Sequence, residues 1–347
     1  MSIIFSSGCG CASDHGTKDP YGANTPSPIS NPTLGSNITP VVDTSRNRLP
    51  KNLSLIPLNN SGVERVIRAF LSAKEPQLQR VLVRTWNSSR RDLKYDQIER
   101  ALRDGSLDAN QLQALQDAYV ELINEKLAPA WMSAMESSSA YMRDSVETSL
   151  GKRIRFDERA ATLRAWITSR GSELAVNLSN QQHRALQSMI KYVVNDSPMG
   201  ARAAGRYIRA TVGLTDNQAK AVQRHRTSLV DGGMSPTDAD KQSLNYASRL
   251  HRIRAERIAR TEMSLAFNQG ALEQMRQAKR GALSSATIIK MWYTSVDERV
   301  CPHCGPLHEA VIGLEETFPG ATKRIPNTFT APAHPGCRCA IIYNLLE

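Results

Sequence analysis

The tightest constraint on this chain is a spacing of sulfur and imidazole near its C-terminus. Cys301-Pro302-His303-Cys304 is followed, about thirty residues on, by His334-Pro335-Gly336-Cys337-Arg338-Cys339. The pattern reads C-x-x-C, then H-x-x-C-x-C. It holds four of the six cysteines and two of the seven histidines, so the donors are concentrated rather than scattered. Zn²⁺ takes four tetrahedral ligands, and thiolates with imidazole supply them without redox chemistry. Cys301 and Cys304 can reach one ion from a tight turn, while His334, Cys337 and Cys339 offer three more donors from a second turn. Five candidates compete for four places. Cys301, Cys304 and Cys337 are the favoured ligands, His334 and Cys339 compete for the fourth place, and His303 and His308 lie further out. The zinc expected here is structural, with disulfide pairing as the alternative. A catalytic zinc keeps an open position and a nearby base. Glu309 beside His308 is the available carboxylate, but neither the H-x-E then P-C-x-x-C order nor H-E-x-x-H occurs.

Residues 12 to 300 contain no cysteine, which excludes a disulfide framework for the whole molecule and suits a reducing compartment. Cys9 and Cys11 form a C-x-C in the first segment, readable as a two-ligand metal site or as free thiols. Nothing resembles a membrane span, because no run of eighteen apolar residues occurs. The apolar start of the chain lacks a basic flank and is too brief for a secretory signal. The net charge of +11 and pI near 9.5 favour a polyanionic partner such as nucleic acid, or acidic protein surfaces.

Residues 1–60 are rich in Pro, Gly, Ser, Asn and Thr and read as a flexible arm or strap. From about 62 to 281 the pattern is helical. Val63, Val66, Ile67, Phe70 and Leu71 repeat at three and four, predicting a helix from Gly62 to about Asn87. A second stretch runs from Asp108 to Met142, with Pro129 expected to kink or break it. A third spans 156–194, with an interruption expected near Gly171. Asp196-Ser197-Pro198 is read as the next helix start, and Thr215 with Gln218 as a capping box. Ser235-Pro236 then starts a long helix to about Gly281. After it, Thr287–Thr294 is β-branched and aromatic and reads as a strand, with Ala340–Tyr343 as a final one. The fold class expected is mainly α: an elongated helical bundle or arm, with a small α+β C-terminal module stapled by the Cys/His cluster. The segments are a flexible arm at 1–60, a helical arm at 61–180 and the C-terminal module at 181–347.

Residues 249–260 carry five arginines: Arg249, Arg252, Arg254, Arg257 and Arg260. The first four are candidates for gripping phosphate or an acidic partner. A solvated helix face with local ion pairs to Glu256 and Glu262 is an equal reading. No aromatic residues interleave them, so base stacking is not suggested. No P-loop, G-x-G-x-x-G or G-x-S-x-G is present, and no catalytic residue is assigned.

Three stretches taken in order resemble a known family. They are IARTEMSLAFNQG at 258–270, WYTSVDERVCPHCGPLHEAVI at 292–312 and APAHPGCRCAI at 331–341. Together they look like the phage Mu F-like minor head proteins, also called phage head morphogenesis proteins. The likeness covers about 180–345, with its specific motifs at 258–341. It matches Arg260, Thr261 and Glu262 to the helix motif, Asp297, Arg299, Cys301 and Cys304 to the strand-end motif, and His334, Pro335, Cys337, Arg338 and Cys339 to the closing motif. It implies a virion protein of few copies, in the head near the portal and in the host cytoplasm during assembly. Its implied partners are the portal, capsid or scaffold proteins and packaged DNA, and its implied role is assembly, packaging or DNA delivery. Arg260, Glu262, Asp297, Arg299 and Arg338 are expected to form one buried polar network bracing the two turns, since buried charges persist only when paired. The alternatives are a zinc-knuckle nuclease of HNH type, with His334 or His308 as base, or a DNA-binding packaging factor.

Overall fold

The computed structural model describes residues 55–58, 62–196, 199–294, 301–302, 304–320 and 327–346. It is mainly helical, with a small antiparallel sheet at the C-terminal end, as the sequence patterning requires. The helices are α1 (Val63–Asp92), α2 (Tyr95–Asp104), α3 (Ala109–Leu122), α4 (Ala128–Leu150), α5 (Ala161–Lys191), α6 (Ala201–Thr211), α7 (Asp216–Asp231) and α8 (Pro236–Arg280). The strands are β1 (Leu55–Pro57), β2 (Thr287–Tyr293), β3 (Val311–Gly313) and β4 (Ala340–Leu346), in sheet order β1-β4-β2-β3. No helix among the described residues is long and apolar enough to cross a membrane.

Local capping signals account for the starts of α3, α7 and α8. Asp108 accepts the Gln111 amide at 2.9 Å, and Gln111 Oε1 accepts the Asp108 amide at 3.0 Å, a reciprocal cap that starts α3. Thr215 and Gln218 do the same for α7. Ser235 caps α8, with Pro236 in the first turn where its missing N–H costs least. α8 then runs for 45 residues, about 68 Å at 1.5 Å per residue.

Several expectations are corrected. α5 runs unbroken through Gly171. There the missing side chain serves packing: a Cβ would stand 3.1 Å from Ile123 Cγ2 on the neighbouring chain segment. The break expected at Pro129 is present, by contrast: a π-helical turn at Ile123–Leu127 immediately precedes it, and Pro129 lies in the first turn of α4. Asp196 ends a second π turn, Tyr192–Asp196, and α6 starts only at Ala201. α1 extends to Asp92 and α2 follows it as a separate helix. Leu55–Pro57, within the segment read as a flexible arm, pairs along Leu346 to Asn344 as an edge strand. Cys9 and Cys11 lie outside the described residues.

Three apolar cores form along α8. The first joins α1, α3, α4 and α5 to the middle of α8, through residues such as Trp86, Trp131, Trp166 and Phe267. The second lies between the end of α8, the sheet and the Cys/His segments. The third gathers α2, α6, α7 and the end of α5 about the start of α8. The sheet is a wall between the first two. Along β4, Ala340 and Ile342 face the first core, while Ile341, Tyr343 and Leu345 face the second, which is the period of two that a strand imposes.

Candidate metal centre

The sheet brings the two cysteine segments together. β2 and β4 are antiparallel, with Tyr293 opposite Ala340 and Thr287 opposite Leu346. The chain therefore leaves β2 at the same end of the sheet where it enters β4. The Cys301 segment follows the first strand and the Cys339 segment precedes the second, so both emerge at that end.

Each segment closes a turn of the same kind. The Cys304 amide donates to Cys301 O at 2.9 Å, and the Gly305 amide donates to the same oxygen at 3.0 Å. The Cys337 amide donates to His334 O at 3.1 Å, and Gly336 sits at φ +77°, a conformation that favours glycine. The donors at the ends of these turns converge. Cys304 Sγ lies 3.1 Å from His334 Nε2 and 3.8 Å from Cys337 Sγ. Two triads share Cys304: Cys301, Cys304 and His334, and Cys304, Cys337 and Cys339, with the ligand atoms of each within 4.8 Å of one another. All four sulfurs are buried and unbonded to each other. His334 Nδ1 pairs with Pro335 O at 3.0 Å, which aims Nε2 at the sulfurs and leaves that nitrogen as the metal-facing one.

The electrostatics of the cluster suit a cation. Hydrogen bonds from Cys304 and Cys339 hold the Cys337 thiol well below the usual range. Burial opposes charge on His334, but its hydrogen bonds with Cys301 and Cys337 outweigh burial and carry it up to about 11. Hydrogen bonds to the other three cysteines push the Cys304 thiol up. Four thiols and an imidazole packed this closely are a donor set in which a metal ion can take the place of protons.

α8 grips the second turn through two side chains seven residues apart, on one face of the helix. Thr261 Oγ1 accepts the Gly336 amide at 2.9 Å. Asn268 Oδ1 accepts the Ile341 amide at 3.0 Å, and its Nδ2 donates to Cys339 O at 3.5 Å. Asn268 was not singled out from sequence. Its signal was the seven-residue step from Thr261 along a helix.

Residues 220–342 match the family described as Phage Mu protein F like protein. Over these residues the chain is similar to that family. No curated protein and no solved structure matches the chain. The match contains all three motifs from which the resemblance was read, and it begins within α7 and ends within β4.

Within the Mu F-like region the expected single polar network is corrected. Arg260 and Glu262 do not join one cluster, because two residues on a helix differ by about 200° in direction. Arg260 pairs with Glu75 of α1 through two contacts of 3.0 Å, and with Glu256 at 2.7 Å. Glu262 is buried and pairs with both Nε and Nη2 of Arg170 on α5. Thr261, between them, is the residue that holds the Cys/His turn. The Arg-Thr-Glu sequence therefore ties α8 to three different partners. Arg338 is half-buried between Cys337 and Cys339. Asp297, Arg299 and His303 lie outside the described residues.

The arginines of α8 also divide. Arg249 and Arg252 are exposed and Arg257 is half-buried. Arg254 is buried: it donates to Gln181 Oε1 at 2.8 Å and lies 5.4 Å from the Trp86 ring centre, so it serves the core and not a surface partner. His308, a candidate base, is engaged through Nδ1 by Thr294 Oγ1 at 3.0 Å.

One further group escaped the sequence reading. Lys290, fully buried on β2, donates to Phe329 O at 2.8 Å and stands 3.4 Å from that ring's centre. Burial, reinforced by the charge of Arg276, holds its amine well below the usual lysine range. It anchors the segment leading into the second turn. Arg276 of α8 clamps Glu315, in the stretch between the two turns, at 3.0 and 2.6 Å.

Proposed function

We propose that this chain is a minor structural protein of a phage head, seated near the portal, and that it acts by binding and not by catalysis. The observation that carries the reading is the Mu F-like match over 220–342, which takes in all of α8, the Cys/His turns, β2 and the start of β4. The site's chemistry agrees with a fastener. Its sulfur donors are buried with the sheet and the end of α8, each no more than 5% exposed, as a closed structural site requires. The zinc-knuckle nuclease reading has no support in this geometry: His308 is engaged by Thr294, and His334 faces sulfur. Helices α1–α6 lie outside the matched residues and supply surface for portal, capsid or scaffold contacts particular to this chain. The net charge of +11 suits a position beside packaged DNA.

Quantitative mass spectrometry of purified heads, with pull-down of the portal on the tagged full chain, tests the reading. The expected result is a head-associated protein in far fewer copies than the major capsid protein, recovered together with the portal. Absence from heads, or metal-dependent DNA cleavage by the purified chain that His334→Ala abolishes, overturns it.

A further inference from the structure

We propose that the chain binds one structural Zn²⁺ through Cys301, Cys304, His334 and Cys337, that Cys339 is not a ligand, and that Thr261 and Asn268 position the site from outside. The two turns make the choice among five donors. C-x-x-C at 301–304 and H-x-x-C at 334–337 have the same length, and each is closed by an amide of its last residue on the carbonyl of its first, at 2.9 and 3.1 Å. A turn of this length carries its two end side chains to one side, so each supplies a pair of donors, and two pairs complete a tetrahedron. Zn–S bonds of about 2.3 Å at the tetrahedral angle put two sulfurs about 3.8 Å apart. Cys304 and Cys337, one from each turn, stand at 3.8 Å. His334 presents Nε2 to Cys304 while Nδ1 is held by Pro335 O.

Cys339 Sγ lies within 4.8 Å of the Cys304 and Cys337 sulfurs, but its place in the chain differs in three ways. It lies beyond the second turn, at the threshold of β4. Its amide donates to Cys337 Sγ at 3.5 Å, the contact expected of a backbone N–H that supports a ligated thiolate. Its carbonyl is taken by Asn268. Asn268 and Thr261 thus hold the backbone on either side of Cys337 before any ion binds, so the second pair of donors arrives already oriented. Zn²⁺ fits the donor set because three thiolates and an imidazole suit its borderline softness.

The test uses the full chain in a Cys9→Ser/Cys11→Ser background, so that the N-terminal pair adds no donors. Elemental analysis after purification is expected to give one zinc per chain. Cobalt substitution is expected to give the visible bands of a tetrahedral site with thiolate charge transfer. Cys304→Ser, Cys337→Ser and His334→Ala are expected to lose the metal, and Cys339→Ser to keep it. Should the losing variants fail to fold, His334→Cys decides instead: it is expected to keep zinc and to strengthen the cobalt charge-transfer band, because a fourth thiolate joins. Thr261→Val is expected to keep one zinc but bind it about tenfold or more weakly. A purified chain without zinc that fails to take up cobalt overturns the site. Loss of metal in Cys339→Ser, or an unchanged cobalt spectrum in His334→Cys, overturns the ligand assignment. Unaltered affinity in Thr261→Val overturns the positioning role.

Discussion

From Pro236 to about Arg254, α8 buries a single stripe, at Ala239, Asp240, Ser243, Ala247, His251 and Arg254. From Ile258 to Ala278 it is buried on nearly every side. The first half leans on α6 and α7 and shows water Arg249 and Arg252. The second half is enclosed by α1, α4 and α5 and by the sheet with its Cys/His turns. Enclosure changes what a residue must do. On the first half a long side chain has solvent to reach, and substitution is cheap. On the second half every direction is occupied, so small residues and paired polar groups replace the apolar stripe. Gly270 marks the limit: a Cβ there would fall 2.3 Å from Met135 Cα on α4, too close for any side chain.

The contrast breaks first at Glu262. Its removal by Glu262→Ala leaves Arg170 with Glu173 at 3.1 Å as its one remaining carboxylate partner among the described residues, and the expected loss is about 3 kcal/mol in chemical denaturation. A loss below about 1 kcal/mol would mean that the enclosed half is less tightly determined than its burial implies. Gly270→Ala comes next. α4 must move away from α8, and a drop of about 3 kcal/mol is expected, with a lowered Tm in the same preparation.

The one-sided half has its own weak point in acid. His251 is buried against Val212 O at 2.9 Å, and burial, together with the charge of nearby Arg90, holds its pKa down to about 3. A histidine depressed in the folded state binds its proton first in the unfolded state, whose value is near 6.5. Stability is therefore retained above pH 6.5 and falls as the pH drops from 6.5 towards 3, by about 2 kcal/mol near pH 5. Urea melts at pH 7 and pH 5 measure this. His251→Gln should flatten the difference, and a pH dependence that survives the substitution assigns the acid sensitivity elsewhere.

At Thr261→Val the Gly336 amide loses its acceptor while the side-chain volume stays, and about 1–2 kcal/mol is expected in thermal melts. The smallest effect is expected at Arg249→Ala and Arg252→Ala, within about 0.5 kcal/mol of the parent, because both side chains are exposed on the open face. A larger loss at either would give that face a structural role that the comparison denies it.

Legibility in the sequence follows the same division. The start of α8 was plain, since Ser235-Pro236 is a local signal, as were the caps at Asp108 and Thr215. The strand at Thr287–Tyr293 was plain because β-branched and aromatic residues cluster there. The three-residue strands β1 and β3 were not, because strands that short carry no period and exist only by pairing with β4 and β2. Gly171 misled because a glycine that ends a helix and one that lets two segments touch look the same in sequence. At the site, the five sulfur and imidazole side chains that the structure brings together were all singled out, since their types and spacing stand out in the sequence. Asn268 and Lys290 were not, as an amide or an amine acquires its role only from the backbone it meets.

The sequence by itself determined the donor inventory, the long helix and the kinship of the region from 220 to 342 with Mu F-like proteins. Each of these is written in residue types at short range. Only the tertiary structure decided where Arg260, Thr261 and Glu262 go. Successive residues of a helix point about 100° apart, so three neighbours in sequence look towards three different parts of the molecule. Which part each one meets depends on how α1, α5 and the Cys/His turn pack around α8. The same packing brings His334 to Cys304 and hands the carbonyl of Cys339 to Asn268.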